Sequence, residues 1–308
     1  MISIFAPAKL TLGFQVTGRR SDGYHLIESE MTMVDYGDDI ELMAFFNRDH
    51  SRTTKVTVDD PLGLSKIGFN FGLVPTGPGN LLDKVASLYG KGVEARILKR
   101  IPVGGGLGGG SADAGALARY LFLSDDVDPA RPIEDFISEL AELGADVPVC
   151  FYGQRAFVHG IGDQVEVVKS KIDGEDDNNR RKFTLFLAPI SVSTPEVYRF
   201  FDLGRSIDAE VGEFPNDLEG PALALSPALQ SFRRSIASIF SVTPSLAGSG
   251  STYFVSGHVI DRSHLAQRGF GEYGDRNGLR IVSFPDVSDA SINYLACECS
   301  EFQVNQQT

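Results

Sequence analysis

The sequence predicts a fold that mixes β-strands with amphipathic α-helices, and three stretches carry that prediction. Residues 3–14 alternate as a strand does, with Leu10, Leu12 and Phe14 on one face and Lys9, Thr11 and Gly13 on the other. Residues 93–98 alternate again, Val93, Ala95 and Ile97 against Glu94, Arg96 and Leu98. They lead into Pro102-Val103-Gly104-Gly105-Gly106-Leu107-Gly108-Gly109-Gly110-Ser111-Ala112-Asp113-Ala114, in which six of thirteen residues are glycine. Beyond it Ala114, Leu117, Ala118, Leu121 and Phe122 recur at helical spacing. Strand, glycine loop and helix start together place bare N–H groups and the positive end of a helix dipole at one point. That is an anion site, and a phosphate is the expected occupant.

Taken in order, Pro7 falls near the start of the first strand, where it is tolerated. Ser21-Asp22-Gly23 is a turn signal that presents Tyr24 and His25 at the head of a second strand, about Tyr24 to Val34. Tyrosine offers a flat stacking face and histidine one donor and one acceptor, which suits a nucleobase; a hairpin with a core tyrosine and a surface histidine is the plainer alternative. Residues 45–79 read as loop-rich. Asn80 is a plausible N-cap with Asp83 three residues on, and Leu81, Leu82, Val85 and Leu88 form the buried stripe of the helix it opens. A later helix carries Ile133, Phe136, Ile137, Leu140 and Ala141, with Pro132 in its first turn and Gly144 past its end.

Asp146 follows in Gly144-Ala145-Asp146-Val147-Pro148, a short apolar connection. A carboxylate there needs a cation, for which Lys9 is the obvious candidate, or serves as a cap or turn residue. Residues 156–163 read as a strand and turn, 169–182 as a charged boundary or insertion, and 183–190 as a strand. Ser226 and Pro227 open a helix bearing Leu229, Phe232, Ile236, Ile239 and Phe240. Ser245 to Ser251 form a second glycine loop before a strand at 252–255. A short helix near 263–267, a strand at 280–284 and a frayed polar tail at 304–308 complete the pattern.

At 308 residues the chain suits one large or two medium domains. No apolar run approaches 18 residues, so no membrane span is expected, and the strand beginning almost at Met1 leaves no room for a targeting peptide. Three cysteines, Cys150, Cys297 and Cys299, are too few for a disulfide framework and lack metal-site spacing; a cytoplasmic setting is expected. A net charge of −13 argues against nucleic-acid partners, and an anionic substrate then needs local positive potential. The glycine loop lacks the Gly-Lys-Ser/Thr of a Walker loop, and protein-kinase signatures are absent.

Residues 102–111 resemble the Pro-x-Gly-Gly-Gly-Leu-Gly-Gly-Gly-Ser loop of the GHMP kinases (galacto-, homoserine, mevalonate and phosphomevalonate kinases). Ala6-Pro7-Ala8-Lys9-Leu10 resembles their N-terminal motif, and Gly144-Ala145-Asp146-Val147-Pro148 their catalytic aspartate segment. Asp22-Gly23-Tyr24-His25 and the run from Met31 to Asp38 resemble the branch whose substrate is 4-diphosphocytidyl-2-C-methyl-D-erythritol. The resemblance implies a two-domain α+β GHMP kinase fold: residues 1–168 like ribosomal protein S5 domain 2, and residues 183–308 ferredoxin-like. It implies ATP-dependent phosphorylation of the substrate's 2-hydroxyl in the non-mevalonate isoprenoid pathway, with Mg²⁺ arriving as the ATP complex and no separate metal site. Lys9 and Asp146 would be catalytic. Asn80, Lys99, Pro102, Gly104, Gly105, Gly106, Gly108, Gly109, Gly110 and Ser111 would bind ATP. Thr11, Tyr24, His25, Thr194, Tyr198, Gly248 and Ser249 would bind the cytidine diphosphate substrate, with Tyr24 and Tyr198 clamping its base. A monomer or weak homodimer is expected.

Two departures touch the substrate side: Thr11 stands where asparagine is usual, and Met31 where an aromatic is common. A mevalonate-type kinase would keep Lys9 and Asp146 without a cytosine site, and a silent nucleotide-binding protein would not need both.

Overall fold

The computed structural model describes residues 1–47, 53–124, 132–168, 180–260, 271–274, 280–284 and 294–302. It begins with two long antiparallel strands, β1 (Ile2–Arg19) and β2 (His25–Asn47), both longer than the alternation alone indicates. Their ladder slips register between Pro7 and Ala8, between Leu12 and Phe14, and between Val16 and Gly18. The middle slip lies at Gly13, whose φ of 82° is a conformation a side chain would resist. It breaks the expected common face of Leu10, Leu12 and Phe14: Leu10 and Leu12 join one hydrophobic cluster and Phe14 another.

The expected loop at 45–79 contains a strand, β3 (Lys55–Asp59), and two 3-10 turns. Then come α1 (Leu81–Leu88), β4 (Lys91–Leu98) and α2 (Gly109–Leu123). The Asn80 cap is formed: its Oδ1 accepts from Leu82 N–H at 2.8 Å. α3 (Ile133–Leu143) runs as expected, though Pro132 sits at its N-cap, and α4 (Val147–Tyr152) turns the expected connection after Asp146 into a helix. β5 (Ala156–His159) and the turn after it lie where the sequence places a strand and turn, and β6 (Gln164–Val167), which the sequence reading does not include, completes a hairpin. The charged stretch at 169–179 lies outside the described residues.

In the C-terminal half, β7 (Lys182–Leu187), α5 (Thr194–Asp202), α6 (Glu219–Leu225) and α7 (Pro227–Phe240) precede β8 (Ser245–Leu246) and β9 (Tyr253–Ser256). Ser226 caps α7 by accepting from Leu229 N–H at 3.2 Å. β10 (Gly271–Gly274), β11 (Arg280–Phe284) and β12 (Tyr294–Phe302) close the described chain; the expected helix near 263–267 and the tail at 304–308 lie outside it.

The strands share one sheet in the order β3-β4-β2-β12-β7-β9-β8, with β1 and β5 also on β2. β12 joins its two halves: Leu295 to Ser300 pair with β7, and Glu301 and Phe302 pair with Val34 and Met33 of β2. Side chains reinforce the seam, as Glu301 accepts from Thr32 Oγ1 at 2.8 Å and Arg181 pairs with Glu30 at 2.9 Å. Cys297 and Cys299 are buried in β12, and Cys150 in α4; all three are free thiols. One hydrophobic cluster lies where α1 to α4 pack on the sheet. The other gathers Val197, Leu218, Leu229, Phe232 and Tyr253 around α5 to α7, and includes Phe14 and Ile27 from the first two strands. Among the described residues no helix is long and apolar enough to cross a membrane.

Candidate active site

The glycine loop is held at both ends. Asp38, buried on β2, accepts from Ile101 N–H at 2.9 Å where the chain leaves β4. At the far end the chain enters α2, whose N-cap Gly108 supplies no side-chain cap. The first N–H groups of α2, on Gly109, Gly110 and Ser111, have no hydrogen-bond partner among the described residues. They sit at the positive end of a 15-residue helix, the arrangement that attracts phosphate.

A second glycine loop packs against the first. Gly106 has a φ of 80°, and a Cβ there would lie 2.1 Å from the Ala247 carbonyl oxygen. Gly105 O accepts from Thr252 N–H at 3.0 Å. Asn216 braces the second loop by donating to Leu246 O at 2.9 Å and Gly248 O at 2.7 Å. Thr194, opening α5, shares a hydrogen bond of 2.7 Å with Ser249. The two loops, Thr194 and Tyr198 thus line one cavity of about 460 Å³.

Lys9 and Asp146 meet in that cavity. The backbone of β1 is fastened to the loop by Lys9 N–H donating to Leu107 O at 3.1 Å. Lys9 Nζ lies 3.1 Å from Asp146 Oδ2; the lysine side chain is 6% exposed and the carboxylate 33%. Asp146 occupies the N-cap position of α4, but its side chain makes no cap bond, so it answers the lysine instead. Its other oxygen has no partner among the described residues. A carboxylate open to solvent, a sheltered ammonium and an anion cradle in one cavity are the parts that phosphoryl transfer to a hydroxyl requires.

Residues 79–154 match the model of the GHMP kinases N terminal domain. Over 265 residues the chain is 33% identical to the 4-diphosphocytidyl-2-C-methyl-D-erythritol kinase of Rhizobium etli, covering 81% of this chain and 83% of that protein. The kinase of the same name from Paracoccus denitrificans is 32% identical, over 81% of this chain and 84% of its own. A crystal structure of 4-(cytidine 5'-diphospho)-2C-methyl-D-erythritol kinase superposes with a TM-score of 0.62 at 24% identity, covering 98% of this chain and 100% of that one, and so shares the fold. The chain belongs to the 4-diphosphocytidyl-2-C-methyl-D-erythritol kinase family.

In this member of the kinase family, the residues expected at ATP divide between two cavities. Gly105, Gly106, Gly108 and Ser111 line the larger. Pro102, Gly104, Gly109 and Gly110 line both it and a neighbouring cavity of about 240 Å³, which also holds Asn80 and Lys99. Asn80 is committed to structure at both ends of its amide, since its Nδ2 donates to Pro75 O at 2.7 Å. Lys99 is a buried ion, bonded to Asp38 and lying 3.0 Å from Asp113. Burial opposes its charge, but Asp113 and Asp38 outweigh that and raise its pKa. Burial likewise pushes Asp113 up, to about 8, against the pull of Lys99.

On the substrate side of the kinase, Thr194, Tyr198, Gly248 and Ser249 line the larger cavity. Burial, with the charge of Asp146, pushes the Tyr198 hydroxyl up to about 12, so it is a neutral ring at ordinary pH. Met31 lines the same cavity. Thr11 does not: it is 1% exposed and lies beneath Lys9, accepting from its Nζ at 3.4 Å. The expected clamp of Tyr24 and Tyr198 is not assembled either. Tyr24 is 61% exposed and lines neither cavity, because the turn that carries it is tied down by Arg19 Nε on Gly23 O and by Tyr24 N–H on Asp22. The ring stacked on Tyr198 is that of His25, 4.5 Å away and tilted by 18°.

Sequence reasoning missed the supports of this site: Asp38, Asp113 and Asn216. A lysine directly before the glycine loop was the available signal for the first two, since a buried ammonium demands carboxylates.

Proposed function

We propose that this chain transfers the γ-phosphoryl group of ATP to the 2-hydroxyl of 4-diphosphocytidyl-2-C-methyl-D-erythritol, a step of the non-mevalonate isoprenoid pathway. The observation that carries the reading is the Lys9–Asp146 pair, 3.1 Å apart, facing the open N–H groups of α2 in the cavity that Tyr198 lines. The N–H groups of Gly109, Gly110 and Ser111 hold the phosphates. Lys9 stabilises negative charge as it develops on the substrate oxygen. The oxygen bonds to the γ-phosphorus as the bond to the β–γ bridging oxygen breaks, ADP leaves, and the hydroxyl proton passes to Asp146. Much of the rate comes from positioning and electrostatics rather than from the base alone.

The larger cavity suits Mg²⁺ carried in on the nucleotide. The Ser111 hydroxyl and Asp146 carboxylate are hard oxygen donors on its wall, and the described residues contain no cluster of three metal-ligating side chains that would hold an ion unaided. The ion would neutralise phosphate charge. Residues 1–168 and 183–308 are taken as the two domains, with the site where their glycine loops meet, and the enzyme as cytoplasmic.

The test is phosphate transfer from ATP to a panel of the cytidyl substrate, mevalonate, galactose and homoserine. Turnover confined to the cytidyl substrate is expected; preference for another alcohol would overturn the substrate, and no turnover with any would overturn the activity.

A further inference from the structure

The Lys9 ammonium has three N–H donors and no lone pair. Two of the three have partners: Asp146 Oδ2 lies 3.1 Å from Nζ, and Thr11 Oγ1 accepts from it at 3.4 Å. No other group bonds to Nζ among the described residues. The stem of the lysine is confined as well, because it packs under the point where α2 begins: a Cβ on Gly108 would lie 3.2 Å from Lys9 Cε. The third N–H is therefore left for the cavity that Lys9, Ser111 and Asp146 line together.

Thr11 is placed to serve the lysine rather than the substrate. It is buried and lines neither cavity. It stands two residues from Lys9 on β1, so both side chains leave the same face of the strand. The ladder with β2 is unbroken across them, with Lys9 opposite Met33 and Thr11 opposite Met31. A β-branched side chain has few rotamers open to it, so the hydroxyl stays where the strand puts it. Lys9 is its one hydrogen-bond partner among the described residues. We propose that Thr11 is a positioning residue for the reaction: its hydroxyl and Asp146 together hold two of the three Lys9 N–H groups, so that the third is aimed at the oxygen on which negative charge develops. This rests on the reading above that Lys9 stabilises that charge. Aim matters most in the transition state, so its loss falls on kcat rather than on binding.

Three variants test it. Thr11→Val keeps the shape and removes the hydroxyl, Thr11→Ser keeps the hydroxyl and removes the methyl, and Thr11→Ala removes both. Steady-state kinetics with ATP and the cytidyl substrate, and thermal melts, are measured on each. Thr11→Val and Thr11→Ala should each lose kcat about tenfold, equivalent to ~1.4 kcal/mol and the scale of a single hydrogen bond. Both Michaelis constants should stay within a few-fold. Thr11→Ser should keep kcat within a few-fold of wild type even where it melts earlier. A threonine that only fills space gives another pattern: Thr11→Ser and Thr11→Ala lose stability, Thr11→Val does not, and kcat follows the folded fraction. Wild-type kcat in folded Thr11→Val overturns the proposal, as does a loss confined to the Michaelis constant for the cytidyl substrate. Should Thr11→Val fail to fold, the comparison of serine with alanine decides, and equal kcat in those two overturns it. Wild-type protein that transfers phosphate to no alcohol defeats the proposed activity itself. Wild-type transfer with a kcat that ignores the hydroxyl leaves that activity standing and sinks the inference alone.

Discussion

Replacing Gly106 by alanine is the sharpest probe of how the two glycine loops make the site. The new methyl would enter at a φ of 80°, a left-handed conformation that costs an L-residue ~1–2 kcal/mol. It would also lie 2.1 Å from Ala247 O and 3.0 Å from Gly250 O, and both obstacles are backbone, so neither yields by a change of rotamer. Reaching ordinary contact drives the loops apart by roughly 1 Å, a misplacement that in a catalytic site can cost ~10²-fold in rate. Gly110→Ala is the control. Gly110 lies in the first turn of α2, its added methyl would meet only Leu81 Cδ1 at 3.6 Å, and helix propensity favours alanine by ~1 kcal/mol. Steady-state kinetics and thermal melts on both variants, with calorimetry of a non-hydrolysable ATP analogue, separate the effects. Gly106→Ala should melt earlier and lose kcat/KM by about two orders of magnitude, while Gly110→Ala melts no earlier than wild type. Wild-type kcat/KM and nucleotide affinity in Gly106→Ala would refute the idea that the loops must touch.

Asp146→Asn, nearly isosteric, should lower kcat by ~10²–10⁴ with both Michaelis constants within a few-fold; near-wild-type kcat in folded protein removes Asp146 from the chemistry. Tyr198→Ala should raise the Michaelis constant for the cytidyl substrate roughly 5- to 150-fold, from ~1–3 kcal/mol of base stacking. Tyr198→Phe should be nearly silent in the same assay, and equal losses in both would mean that the ring face is not what matters. For pH, burial pushes the folded Asp113 carboxyl up to about 8 from its ordinary 3.8, so it keeps a proton that the unfolded chain releases. Stability should therefore fall as pH rises from about 4 toward 8, by at most ~1.4 kcal/mol per unit for one proton. Urea melts at pH 5 and pH 7.5 should show a smaller drop in Asp113→Asn than in wild type, and an identical drop excludes this carboxyl as the source.

What could be read from the sequence was what is decided locally. The Asn80 and Ser226 caps, the strand before the glycine loop and the helix after it depend on neighbours a few residues away, and each formed as expected. The Lys9–Asp146 contact was legible because a carboxylate among apolar residues requires a cation. β3 escaped notice because its five residues gain a partner only by lying parallel to β4. Lys99 was read as an ATP-binding residue without its ion pairs because its partners come from Asp38, on a different strand, and from Asp113, beyond the glycine loop. Tyr24 was assigned to the base, but whether a turn residue faces inward is set by contacts that the turn motif does not contain.

β12 is the last of the described strands to emerge during translation, yet it stands between β2 and β7 in the sheet. Until it arrives, those two strands have no common partner, and each offers an open edge of the kind that pairs with other chains. A ribosome stalled before residue 294, or a protease cutting there, would release a polypeptide with every residue of the Lys9–Asp146 pair and of both glycine loops but with the seam between them unsewn. The last strand therefore ties the site to completion of the chain: a polypeptide cut short of it keeps the site residues but leaves the β7 edge bare and open to pairing with other chains.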